Sequence, residues 1–217
     1  IIERSRATAV IYSTKEAEKI KKIVDAAEGV KYFTNPWEVR NNYISVILDR
    51  GSHTVNKFQR ENFLPDLTDN QKVKAMELLE IQRQALLMYT SCGWFFSEIS
   101  GIETVQIMKY AARAMQLAAS FTKKDLEKHF LELLSEAKSN IAEYGTGKDI
   151  FERFVKPSII TMKQIASLWA VSSLYQDFED EEYVYCYKVT KHDYQRVQKG
   201  NSSFVVGHIE VQSKITL

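Results

Sequence analysis

Residues 89–113, YTSCGWFFSEISGIETVQIMKYAAR, carry the side chains of this chain best suited to holding a ligand. Trp94, Phe95 and Phe96 follow Gly93 directly, and Glu98, Glu103 and Gln106 come soon after. An indole offers a π face to an apolar ligand surface, while carboxylates and amides bind polar groups. Trp94, Glu98, Glu103 and Gln106 are chemically suited to hold a ligand and form the candidate substrate-binding set. An aromatic triplet near a helix end also packs cores, so pocket and core both remain open for Trp94. Glu103 stands three residues after Ser100, the spacing of a capping box, which gives it a structural task at a helix start. Lys109 and Arg113 prolong the polar side of that helix, and Lys109 reads as solvated. Cys92 has no histidine close in sequence to activate it and reads as a buried, inert thiol.

No catalytic residue is assigned within the chain. Glu98 and Glu103 are near in sequence, but nearness alone does not make an acid and base pair of the kind glycosidases use. His53, His129, His192 and His208 lie on unrelated segments, and Cys92 and Cys186 have no metal-ligand spacing to them. The expectation is no metal, no cofactor and two reduced thiols.

The elements that must position these groups are mostly helical. Thr68 and Gln71 form a capping-box start, followed by Val73, Met76, Leu79, Leu86 and Leu87 at helical spacing, with an end near Gly93. A second helix is expected over about 102–119. Elsewhere the signals predict helices over 15–28, 35–50 (Asn35 capping and Pro36 following, Gly51 stopping it), 122–138 (started by Thr122 and Asp125), 148–154, and 159–175 after Pro157. After the acidic run 177–182, Tyr183, Tyr185 and Tyr187 alternate with Val184, Cys186 and Lys188, and a second alternating run over 204–215 follows the Gly200-Asn201 turn signal. The predicted fold class is mainly α, a helical bundle over 1–176 with a small C-terminal antiparallel β element over 177–217 that packs on it.

Length and composition agree with an ordinary globular body. The 217 residues are 45% hydrophobic and 26% charged. Lys and Arg total 29 against 28 Asp and Glu, a formal charge of +1, which gives no general attraction to nucleic acid or to an anionic membrane. No apolar run approaches the roughly 20 residues that span a bilayer, and a cytoplasmic location is expected.

Several segments together resemble the helical C-terminal region of family 57 glycoside hydrolases, in the subgroup related to α-amylases and α-mannosidases, where that region is a domain of unknown function. Asn35-Pro36-Trp37-Glu38 leads to Tyr43-Ile44-Ser45-Val46-Ile47-Leu48-Asp49-Arg50, which looks like the subgroup's W-x-x-R-x-x-Y-I-x-V-I-L-D-R element. The run 79–88 leads into Tyr89-Thr90-Ser91-Cys92-Gly93-Trp94-Phe95-Phe96, and Ser139-Asn140 and Val155-Lys156-Pro157 are similar too. Ser97 departs from the acidic residue the resemblance leads one to expect. The resemblance implies an aspartate and a glutamate on an N-terminal distorted β/α barrel as the catalytic pair. It also implies that an aromatic segment of the bundle, here Ser91 through Trp94, stands beside the barrel's active site.

No barrel fits in this chain, whose only parallel-strand run is 9–12, so it is expected to be part of a longer protein and inert alone. The expected function is an accessory domain of a glycoside hydrolase or glucanotransferase acting on α-linked saccharides, which completes the sugar site of that barrel. Its partners would be carbohydrate, through the parent enzyme, and its own N-terminal barrel. A non-catalytic protein-interaction module is the alternative.

Overall fold

A computed structural model of the chain describes residues 28–216; the predicted strand over 9–12 and nearly all of the predicted helix over 15–28 lie outside them. Two compact units divide the chain, Ile1–Ile159 and Ile160–Leu217, and each is considered by itself. The first is helical and the second joins one helix to a three-stranded antiparallel sheet, so the class is mainly α with a small C-terminal β element.

In the first unit, Pro36–Asn42 (α1) begins as the Asn-Pro signal requires: the Asn35 side chain accepts from the Glu38 N–H, and Pro36 takes a first-turn position where no N–H is needed. The helix predicted to continue to Arg50 instead breaks at Tyr43 and resumes over Ile44–Leu48 (α2). Gly51 does not end that run but caps a further helix, Ser52–Asn62 (α3), which the sequence reading missed. The turn between them is closed by the Asp49 carboxylate, which accepts from Gly51 N–H at 2.8 Å and from the Thr54 hydroxyl.

Asp69–Leu87 (α4) starts with the predicted Thr68–Gln71 capping box. Its apolar residues are not confined to a stripe. Ala75, Met76, Leu78, Leu79, Ile81 and Ala85 are buried, but so are Glu80, Gln82 and Gln84, which is the mark of a central helix covered from several sides. It packs against Ile102–Ala118 (α6), whose Ala111, Ala112, Ala114 and Ala118 are all buried and allow a close approach of the two axes. Between them Cys92–Phe95 (α5) makes a single turn, so α4 ends about a turn before the predicted stop at Gly93.

Leu126–Leu134 (α7) is capped by Asp125, which accepts from Lys128 N–H at 2.9 Å. The predicted Thr122 start is thus displaced, because the aspartate takes the cap position itself. Gly147–Ile150 (α8) follows a Thr146–Asp149 capping box and runs into a π turn at Phe151–Val155 and a 3₁₀ turn at Lys156–Ser158.

In the second unit, Met162–Ser172 (α9) is started by a Thr161–Gln164 capping box and not by Pro157, which stays in the preceding 3₁₀ turn. The strands are Glu181–Val184 (β1), Tyr187–Lys199 (β2) and Ser202–Ser213 (β3), in that spatial order. The long hairpin turns at Gly200 and Asn201 as predicted, with Gly200 at φ +61°. Trp169 of α9 stacks on Phe178 with centroids 5.4 Å apart and meets Tyr194 edge-on at 5.7 Å, forming the core with Ile165, Tyr187 and Val189. Its Nε1 is buried without a hydrogen-bond partner. The acidic run ahead of β1 is tied to β2: Asp177 pairs with Arg196 at 2.7 Å, Asp180 with Lys191 at 3.1 Å and Glu181 with Lys188 at 2.5 Å.

Candidate functional site

The connection from α4 to α6 turns aromatic residues outward. Phe95 and Phe96 are 66% and 51% exposed, with rings in edge-to-face contact at 5.1 Å. Tyr89 is exposed too, as are the aliphatic Leu86 at the end of α4 and Ile102 at the start of α6. Trp94 lies on the same single turn; its side chain is outside the described residues. The turn is held against α6 by the Thr104 hydroxyl, which donates to the Gly93 carbonyl at 3.2 Å, and by the Ile107 side chain, which fills the space where a Cβ on residue 93 would stand. That close approach is the reason for glycine there.

Glu98 fixes the far side of the connection. Its Oε1 accepts from the Ser100 N–H at 2.8 Å and from the Ser139 hydroxyl at 2.7 Å, and its Oε2 accepts from the Asn140 N–H at 2.8 Å. The Asn140 amide returns the contact by donating to the Ser97 carbonyl at 2.6 Å. Partial burial alone would raise the Glu98 pKa, but the donors from Ser139, Ser100 and Asn140 hold it below the ordinary carboxylate range. A carboxylate has about four lone-pair directions, so this clasp leaves roughly one free for anything else. The Ser139-Asn140 pair thereby acquires a concrete role: it locks the 97–98 loop to the 139–141 loop, which presents the exposed Ile141.

The predicted Ser100–Glu103 capping box does not form. The helix begins one residue later than the box requires, so Gly101, which has no side chain to offer, is the N-cap of α6, and the Ser100 N–H donates to Glu98 and not to Glu103. Glu103 is half-buried in the first turn, with Oε2 close to Gly101. Gln106 is exposed one turn beyond Ile102 on the same side of α6. The structure thus brings Glu98 and Glu103 to the connection itself and places Gln106 on its margin. Cys92 is exposed and free, not buried as the sequence suggested, because the short turn carries it on its outer side.

A second constellation went unnoticed in the sequence. Glu80, 2% exposed in the middle of α4, accepts from the Tyr43 hydroxyl at 2.6 Å and from Arg50 at 2.5 Å, with Arg83 at 3.3 Å and the Gln84 amide at 3.5 Å. Burial pushes the Glu80 pKa up, but Tyr43, Arg50 and Arg83 outweigh it and the carboxyl sits below its ordinary range. Burial and the adjacent carboxylate push the Tyr43 phenol well above its ordinary value. The Tyr43-to-Arg50 element therefore wraps α1 and α2 around a buried anion. A polar residue at a helix-period core position was the available signal. Among the described residues no cluster of His, Cys, Asp and Glu is arranged to hold a metal ion, and no helix is long and apolar enough to cross a membrane.

A family model described as a domain of unknown function, DUF3536, matches residues 17–217. No curated protein and no solved structure matches the chain.

Proposed function

The chain belongs to the DUF3536 family, which spans nearly all of it, and from the resemblance of residues 43–50 and 89–96 to the C-terminal region of family 57 glycoside hydrolases we propose that it acts as the accessory domain of a glycoside hydrolase or glucanotransferase working on α-linked saccharides. The observation that supports this most is the exposed Phe95–Phe96 pair on a connection braced at both ends. Exposed aromatic rings held in fixed orientation suit the stacking of pyranose rings, since little side-chain freedom remains to be lost on binding. Trp94 and Gln106 are assigned to the same sugar site by this reading. Glu98 serves it chiefly by positioning, through the clasp to Ser139 and Asn140, and Glu103 lies at the base of the helix that carries Gln106. Carboxylates for bond cleavage would be supplied by a barrel in the parent protein, so the domain by itself is inert.

The test is reducing-sugar release from a panel of α-glucans and mannosides by the full-length parent, compared with its Trp94→Ala and Phe95→Ala/Phe96→Ala variants, with unchanged far-UV circular dichroism. The expected result is a fall in kcat/KM of about tenfold or more, corresponding to loss of about 1.4 kcal/mol of transition-state binding. Equal activity in all three proteins would remove these rings from a sugar site.

A second reading, a protein-interaction module, is favoured by the aliphatic residues beside the rings. Ile102 is 79% exposed and Leu86 59%, and exposed aliphatic side chains of this kind suit a protein partner. Parent variants that keep full activity but lose association with a partner would favour it.

A further inference from the structure

A second groove of the first unit has the composition of a binding site, and no residue of the α4–α6 connection lines it. It encloses about 810 Å³ between α3 and the loop that leads into α4. One wall is polar: His53, Asn56, Gln59 and Arg60 line it from α3, and His53, Asn56 and Arg60 recur at the spacing of one helix face. None of these four side chains has a hydrogen bond or ion pair within the described residues. Asn56, Gln59 and Arg60 keep their donors and acceptors available at this wall, while His53 stands near the Asp49 carboxylate and also lines a neighbouring groove.

The opposite wall is apolar and rigid. Phe63, Leu64 and Pro65 form it, with Leu67 beyond. Phe63 is locked by ring contacts to Phe33 at 5.4 Å and Phe58 at 5.9 Å, and the Leu64 N–H donates to the Tyr32 carbonyl at 2.8 Å. Asp66 takes a left-handed conformation, φ +63°, which an aspartate tolerates better than most residues and which turns the loop back toward the Thr68 cap of α4. The groove is therefore preformed. Arg60 is the cation of the lining with no ion pair among the described residues, since Lys72 is tied to Asp69 at 3.0 Å; Asp66 is the one acid of the lining.

From this combination we infer that the groove binds a saccharide bearing an anionic group, a sugar phosphate or a uronate. The Arg60 guanidinium offers the forked donor geometry that matches either anion. Asn56 and Gln59 each carry a donor and an acceptor, which suits hydroxyls that do both. The Phe63 side gives the apolar face of the sugar ring a surface to lie on. A purely polar ligand would leave that wall wet, and a purely apolar one would strand the four polar side chains.

The site is tested on the intact chain by calorimetry and by amide chemical shifts, with α-glucose 1-phosphate, glucuronate, methyl α-glucoside and inorganic phosphate as probes. The expected result is binding of at least one anionic sugar with a Kd below about 1 mM, with shifts centred on α3 and residues 63–67. The neutral sugar and free phosphate should each bind at least about tenfold more weakly. Whether the phosphate or the carboxylate probe is preferred identifies the anion. Arg60→Gln, at an exposed position that folding does not depend on, should weaken binding about tenfold or more, and Tyr175→Ala, at an exposed position of the second unit, should leave it unchanged. Equal affinity for free phosphate would reduce the groove to a bare anion site and overturn the saccharide assignment. Unchanged affinity in Arg60→Gln, or no binding of either anionic sugar, would overturn the site. Because no residue of the α4–α6 connection lines the groove, failure here leaves the reading of the aromatic connection standing.

Discussion

Glu98 and Glu80 show how two carboxylates in one bundle reach different states from their surroundings. Glu98 is a clasp between loops, and its depressed pKa has a direct consequence for stability. A carboxyl with a lower pKa in the folded chain than in the unfolded one stabilises the fold above its unfolded value, here the ordinary 4.5, and loses that contribution as pH falls through the folded value. Urea denaturation from pH 6 down to pH 3 should therefore show a shallower acid loss in Glu98→Gln than in the wild type. Identical profiles would mean that the clasp contributes nothing. Glu80 obeys the same sign, but its burial makes truncation costlier. Glu80→Ala removes the acceptor of the Tyr43 hydroxyl and the carboxylate partner of Arg50, whose side chain is 26% exposed and can partly rehydrate, so a loss of about 2–3 kcal/mol in urea denaturation is expected. A loss below about 1 kcal/mol would show that the network is not a stabilising anchor.

Helix starts in this chain follow local chemistry closely where a side chain can reach the free N–H groups of the first turn. Asn35, Thr68, Asp125, Thr146 and Thr161 all do so. At two of the misread starts a neighbouring residue took over: the Ser100 N–H, which a capping box would give to Glu103, goes to Glu98, and Asp125 caps α7 in place of Thr122. At the others no such competition acts: α3 starts at Gly51, and α9 at Thr161 and not at Pro157. The loop between α7 and α8 depends on Gly145, which adopts φ +64°, ψ −114° and whose added Cβ would stand 2.5 Å from Asp149 Oδ2, in the middle of the α8 capping box. Gly145→Ala should cost about 1–3 kcal/mol and lower the thermal midpoint, combining backbone strain with a disturbed cap. A midpoint equal to the wild type's would mean that the loop relaxes freely. The same loop carries Ser139 and Asn140, so the variant also tests whether the clasp on Glu98 depends on a rigid 139–146 turn.

At the scale of the molecule, the helical unit and the unit of α9 with the sheet have separate cores, one centred on α4 and α6 and the other on Trp169. The segment at their junction has no long regular element, and Ile160 within it is 47% exposed. Limited digestion of the native chain with thermolysin should cut first at Ile160, and mass spectrometry should find fragments ending at Ile159 and beginning at Ile160. First cleavage inside α4, α6 or β2 would contradict that division. The sequence by itself determined the fold class, the capping-box start of α4 and the Gly200-Asn201 hairpin, because periodicity, cap chemistry and turn residues act over a few positions. It also singled out residues 94–106 as the place to look. Only the tertiary structure decided what those residues touch. Ser139 and Asn140 reach Glu98 across more than forty positions, Tyr43 and Arg50 reach Glu80 across 37 and 30, and the groove beside α3 needs a helix and a loop wall held together by Phe33, Phe58 and Phe63. Such contacts leave no local periodic trace, since a hydrogen bond between distant segments is fixed by how whole elements pack and not by the spacing of the residues that make it.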